Sequence, residues 1–198
     1  MSVMDLNIEL LKIRWNNVAP RKGRVLIAEP LLPDFLFGRS VIILTDDKHN
    51  SHAGIILNHS SDMKVGEVMS DFEDIDVDLF IGGPVDNDVL FYLHQYGDII
   101  EGSKRIFGNV YLGGNYNQML HLLKKGVIRK QSIRFFIGYA GWEEDQLKSE
   151  ITENSWLVTD VDNKFVFSNH NDLWERSLGY VDSRYDIWKN FPEDPEWN

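Results

Sequence analysis

The sequence predicts a strand-rich fold punctuated by helices, a mixed α and β build, and three features carry that expectation. From Ile133 onward an apolar run reaches Gly138 and passes through Tyr139-Ala140-Gly141-Trp142 into a polar, acidic-headed segment with Leu147 and Ile151 at helical spacing. That is the pattern of a buried strand turning into a short helix. Over residues 116–125, Tyr116, Met119, Leu120 and Leu123 fall at i, i+3, i+4 and i+7, the apolar stripe of an amphipathic helix. Elsewhere, four- to six-residue apolar runs alternate with Gly, Pro, Asn and Asp, which is how short strands and turns are written.

The elements follow in order. Leu6, Leu10 and Ile13, with Asp5 placed to cap, predict a helix over residues 5–14 that Asn16-Asn17 and Pro20 end. Residues 25–28 are a short strand stopped by Pro30 and Pro33. Residues 40–44 and 53–57 are two more, joined by a turn-like 46–51, so a hairpin is expected. The acidic stretch 62–78 holds one short helix near 65–69. Residues 79–81 are a strand broken by Gly82-Gly83-Pro84, and 89–94 another. Residues 97–114 are strands and turns. Asn115 caps the 116–125 helix, Lys124 and Lys125 fill its last turn, and Gly126 is its left-handed stop. Residues 133–139 are a strand and 143–151 a helix, with Glu143, Glu144 and Asp145 at its positive end and Glu144 placed to pair with Lys148. A strand at 155–159 and a two-turn helix at 172–178, stopped by Gly179, complete the core. From Tyr180 the aromatics Tyr185, Trp188, Phe191 and Trp197 are interleaved with acids. They read as an irregular arm packed on the body; the competing reading is a partner-docking arm.

Composition bounds the function. The 198 residues suit one domain with its own core. There is no cysteine, hence no disulfide, thiolate nucleophile or iron–sulfur cluster, and a reducing cytoplasm is the expected compartment. Thirty-one acidic against 20 basic residues give a net charge of −11, and the short runs Arg21-Lys22-Gly23-Arg24 and Lys124-Lys125 form no basic strip, so direct nucleic-acid binding is not expected. No apolar run is long enough to span a membrane, and the N-terminus lacks the pattern of a signal peptide.

The chemistry-bearing residues are sparse. His49, His52 and His59, near Asp46 and Asp47, have ligand chemistry for zinc but no helix-face spacing, and read as solvated loop histidines; no metal and no cofactor is expected. His94, preceded by Asp86 and Asp88, has the makings of a general base without a nucleophile beside it. Gly82-Gly83-Pro84 lacks the lysine and spacing of a phosphate loop; its glycines suit a positive φ or a close strand approach. Asn58, Gly82-Gly83-Pro84 and Gly141-Trp142 each follow an apolar run, so each marks the C-terminal end of a strand. If those strands share a direction, the three gather at one edge, with Trp142 as an apolar floor and Gln146 opening the helix above. These seven residues (Asn58, Gly82, Gly83, Pro84, Gly141, Trp142, Gln146) are the candidate binding site. The competing account gives each a local turn role.

In series, Gly23-Arg24-Val25-Leu26-Ile27-Ala28 with Pro30, Phe37 with Arg39-Ser40-Val41, Gly54-Ile55-Ile56-Leu57-Asn58, Gly82-Gly83-Pro84-Val85, Gly138-Tyr139-Ala140-Gly141-Trp142, Gln146-Leu147, Glu150-Ile151, Trp156 and Leu173-Trp174 resemble the bacterial YqgE/AlgH family. The resemblance spans about residues 20–178, leaving the N-terminal helix and the aromatic tail as additions. Glu143-Glu144-Asp145 stands where the family has Gly or Pro, and Lys148 where it has Glu. The resemblance implies an α+β fold with a mixed, bifurcated sheet partly closed into a small barrel and flanked by helices, in a single domain. It implies a cytoplasmic protein, attaches some members to transcriptional control of exopolysaccharide synthesis, and supplies no catalytic residues. The expected function is a non-enzymatic binding or regulatory module acting through an unknown protein or small-molecule partner. The alternative is a small hydrolase using His94 or His52 with a neighbouring acid.

Overall fold

Residues 16–46 and 51–191 are described by a computed structural model, and within them ten strands join one sheet. The strands are β1 (Val25–Ala28), β2 (Val41–Asp46), β3 (His52–Ile56), β4 (Ser60–Lys64), β5 (Asp78–Ile81), β6 (Val85–His94), β7 (Lys104–Phe107), β8 (Val110–Leu112), β9 (Ile133–Trp142) and β10 (Trp156–Thr159). The helices are α1 (Val65–Val68), α2 (Tyr116–Lys124), α3 (Gln146–Thr152), α4 (Asn163–Val166) and α5 (Leu173–Leu178), with 3-10 turns at Ser70–Phe72, Lys130–Ser132 and Ser183–Asn190. The helix expected over residues 5–14 lies outside the described residues.

The main path runs β10-β1-β2-β3-β9-β6-β8-β7, all antiparallel, and curls as a half-barrel. It branches at β9. The first half of β9 is flanked by β6 and, in parallel, by β5, where Leu79, Phe80 and Ile81 face Phe135, Phe136 and Ile137. The second half pairs with β3, His52 opposite Trp142 and Gly54 opposite Ala140. Gly82 makes the hand-over: its N–H donates to the Ile137 carbonyl at 2.7 Å, and its own carbonyl accepts from Ile56 N–H at 2.9 Å. The sheet is therefore mixed and bifurcated, an α+β fold as the resemblance implied.

Alternation along each strand serves two faces. Val25, Ile27, Val41, Ile43, Ile55 and Leu57 pack under α4, α5 and the C-terminal 3-10 helix. Leu26, Ala28, Ile42, Leu44 and Ile56 face α3 with Trp142 and Trp156. A third cluster buries Val65, Phe72, Leu79, Met119 and Phe135 between β5, β9 and α2. Because both faces are covered, these strands read as continuous apolar runs.

Several boundaries shift for physical reasons. The apolar run does not stop at Gly138: β9 continues through it, with φ 70° there, to Trp142, because β3 and Val85 supply ladder partners beyond it. Helix α3 starts at Gln146, three residues later than expected. Glu143, Glu144 and Asp145 form the turn before it, with Asp145 left-handed at φ 61°, so they do not occupy its first turn. Residues 60–64 and 85–88, mostly polar in sequence, are strands because β5 pairs with the first and β9 takes up Val85 and, past an irregularity, Leu90 onward. Asn163–Val166, with Asp162 accepting from Phe165 N–H, is a short helix not expected from the sequence. Gly179 ends α5 in a right-handed conformation.

Candidate functional site

The seven expected site residues fall on four parts of the fold: Asn58 after β3, Gly82-Gly83-Pro84 between β5 and β6, Gly141-Trp142 at the end of β9, and Gln146 at the start of α3. Asn58 sits just past the C-terminal end of β3. Its Oδ1 accepts from Val41 N–H at 2.8 Å and its Nδ2 donates to the Arg39 carbonyl at 2.9 Å. Both ends of the amide are thus engaged in fixing the start of β2. Gly82 and Gly83 are buried against β9. A Cβ on Gly82 would lie 2.3 Å from the Gly138 carbonyl oxygen, and one on Gly83, where φ is 150°, 2.2 Å from the Tyr139 carbonyl carbon. The pair permits a backbone crossing that no side chain allows. Pro84 follows, exposed.

Gly141 and Trp142 close β9 opposite Ala53 and His52, at the N-terminal end of β3. Since β3 and β9 are antiparallel, Asn58 and Trp142 lie at opposite ends of β3, roughly 20 Å apart along the strand. The expected common edge therefore does not form for Asn58, and the glycine pair sits between the two ends. Trp142 is only 6% exposed. Its Nε1 donates to Glu150 Oε2 at 2.8 Å, as does Trp156 Nε1, also at 2.8 Å, and Gln146 Nε2 donates to Glu150 Oε1 at 2.9 Å. Gln146 is thus a strut between the β9–α3 turn and Glu150.

Gly141 and Trp142 do line an open cleft of about 490 Å³ with Asp46, His52, Val85, Tyr139 and Glu143. Gly141 is exposed, and a Cβ there would meet nothing nearer than 3.4 Å. His94 is elsewhere and fully buried. Its Nε2 meets the Gly113 carbonyl at 2.8 Å and Ser103 Oγ at 3.3 Å, and its Nδ1 accepts from Tyr96 N–H at 3.1 Å. Burial holds its pKa below the usual histidine value, against the Gly113 hydrogen bond. No carboxylate hydrogen-bonds to it among the described residues. His49 lies outside the described residues, and among those described no group of three or more His, Asp or Glu converges as a metal site.

A second cleft, of about 350 Å³, has no counterpart among the expected residues. Its floor is Arg134, 8% exposed, on the β9 stretch between β5 and β6. Arg134 Nη1 donates to the Val166 carbonyl at 3.0 Å and Nη2 to the Leu57 carbonyl at 2.8 Å. The guanidinium lies 4.1 Å over the Phe80 ring, whose edge-on partner is His170 at 4.9 Å. Burial lowers the Arg134 pKa to about 10, against the field of Asp78. On the rim, Lys64 Nζ bridges Asp76 at 2.8 Å and Asp78 at 2.6 Å, and both bonds raise its pKa. Burial and the Arg134 charge lower that of His170. The sequence did carry one signal for this cleft: Arg134 is a lone charge inside an apolar strand run.

The comparisons bear on the whole chain. A family model described as AlgH-like matches residues 25–186. The chain belongs to the AlgH-like family. A UPF0301 protein of Bacteroides thetaiotaomicron is 37% identical over 197 residues, covering 98% of this chain and all of that one. One from Chlorobaculum parvum is 36% identical over 196 residues, with the same coverage. Two solved AlgH-like folds superpose well: protein DIP2367 of Corynebacterium diphtheriae, with a TM-score of 0.74 over 88% of this chain and 94% of that one, and AlgH of Pseudomonas aeruginosa, with 0.69 over 89% and 97%. Each is 22% identical, so what they share with this chain is the fold. Among the described residues, no helix is long and apolar enough to cross a membrane.

Proposed function

We propose that this AlgH-like chain is a non-enzymatic binding module that takes a small molecule in the Gly141–Trp142 cleft. The observation that carries it is the make-up of that cleft. Its wall lacks a side chain at Gly141 and its indole has committed Nε1 to Glu150, so that part of the wall is backbone and aromatic, with Asp46, His52 and Glu143 as the polar groups beside it. An apolar wall with a few placed polar groups holds and orients a ligand. The burial of His94 supports the same view, since both its ring nitrogens are engaged within the fold. Any regulatory output, transcriptional control included, passes through ligand or protein contacts, for which the net charge of −11 is the support. The lack of cysteine supports a cytoplasmic home.

The test is Gly141→Leu. There is room for the side chain at the exposed cleft wall, so the melting temperature is expected to stay within about 3 °C of the parent. The parent, captured from its native cytoplasm and examined by native mass spectrometry, should retain a small molecule that the variant loses. A parent that carries nothing, or a variant that keeps the ligand, removes the proposal. A second reading, a small hydrolase, is favoured by one observation: His52 shares this cleft with Asp46 and Glu143. Ester hydrolysis by the parent that is abolished in His52→Ala would establish it in place of the binding module.

A further inference from the structure

Burying a cation without a carboxylate partner is costly, and Arg134 is in that state. Among the described residues no carboxylate oxygen lies within 4.0 Å of its guanidinium, and its two hydrogen bonds go to neutral backbone carbonyls. A guanidinium carries five N–H donors, so the other three find no acceptor in the fold. Arg134 lines a cleft and is not sealed inside a core. Lys130 stands exposed on the same cleft, and Lys64 lies opposite, drawn to Asp76 and Asp78. Three cations against two carboxylates leave this cleft with a surplus positive charge on a chain whose net charge is −11. The rest of the wall is mixed, with Val77, Ile133 and Phe167 giving it an apolar side and Gln131, Ser168 and His170 a polar one.

We propose that the Arg134 cleft binds a small organic anion: an oxyanion head, phosphate or carboxylate, on the Arg134 guanidinium, and a compact apolar body against Ile133 and Phe167. A planar guanidinium pairs two oxygens of either head at once, which is why the two heads share one chemistry here. Lys130 at the rim attracts the anion and completes its charge balance. A cleft of about 350 Å³ suits a ligand of one ring or a short chain.

The probes are phenyl phosphate, benzoate and inorganic phosphate, titrated calorimetrically into the intact protein in about 0.1 M chloride, which screens adventitious surface attraction. Saturable binding of phenyl phosphate or benzoate, tighter than about 1 mM, is expected. Whichever aromatic anion binds tighter identifies the head, and inorganic phosphate alone should bind more weakly than phenyl phosphate because it leaves the apolar wall empty. Lys130→Glu, a change on an exposed rim residue, should weaken the binding about tenfold. Arg134→Met should abolish it. Should that variant fail to fold, Lys130→Glu still decides. Gly141→Leu should leave anion binding unchanged, which separates this cleft from the one assigned above. Failure of both aromatic anions to saturate the parent by about 10 mM, or equal affinity in Lys130→Glu, overturns the proposal.

Discussion

Gly83 concentrates the geometry of the branch point in a single residue. Its φ of 150° lies where side chains rarely go, and an added methyl group would sit 2.2 Å from the Tyr139 carbonyl carbon and 2.4 Å from Ala140 N. Neither is the tip of a flexible side chain, so relief requires moving β9 itself. Gly83→Ala is expected to cost on the order of 3 kcal/mol or more, read as a fall in the urea midpoint with little change in slope. Asn58 offers a contrast. Its amide bonds only to backbone, at Arg39 and Val41, so Asn58→Ala should cost about 1–3 kcal/mol in stability and leave ligand capture intact. Loss of capture in a folded Asn58→Ala protein would return that residue to the binding site.

At the level of elements, the tail shows what an aromatic run can conceal. The 3-10 helix Ser183–Asn190 buries Tyr185 and Trp188, and the Trp188 ring stacks on Trp174 at 6.5 Å with 6° between planes. Trp188→Ala should cost about 3–5 kcal/mol, measurable by chemical denaturation, although it lies far along the chain from any strand. A loss below 1 kcal/mol would mean that the segment contributes little to the core. Helix α2 was legible from sequence because its signals are local: Asn115 Oδ1 accepts from Gln118 N–H, Lys124 is in the last turn, and Gly126 takes φ 69°. Strand β4 and the first half of β6 were not legible. Their residues are mostly exposed and polar, and pairing with β5 and β9 makes them strands. The candidate site follows the same division. The close approach at Gly82-Gly83 could be read from composition, whereas the burial of Arg134 depends on carbonyls at Leu57 and Val166, which are distant in sequence. The shared edge for Asn58 and Trp142 failed on strand direction, which no local pattern encodes.

For the whole molecule, histidines held neutral by partial or full burial set the response to acid. His59, His94 and His170 all have pKa values lowered first by burial. The unfolded chain, titrating near 6.5, then binds more protons than the folded one as the pH falls. Their contribution is complete above about pH 6.5 and is lost as the pH drops toward their folded values. Glu29, raised by burial, acts in the opposite sense and nearer pH 4.5. The melting temperature should therefore decline from pH 7 to pH 5, and His94→Gln should flatten that decline even if it lowers stability at pH 7. An unchanged slope in His94→Gln would show that His94 takes no part in it. The pairing of β1 with β10 has a separate consequence, for synthesis on the ribosome. Val25 lies opposite Thr159 and Ala28 opposite Trp156. While the chain is being made, β2 can cover one side of β1, but the other side has no partner until about 130 more residues have been added. At about 5–20 residues per second that is roughly 7–26 s during which a nascent strand shows an open, wholly apolar edge, the interval in which a chaperone or a neighbouring nascent chain would find it.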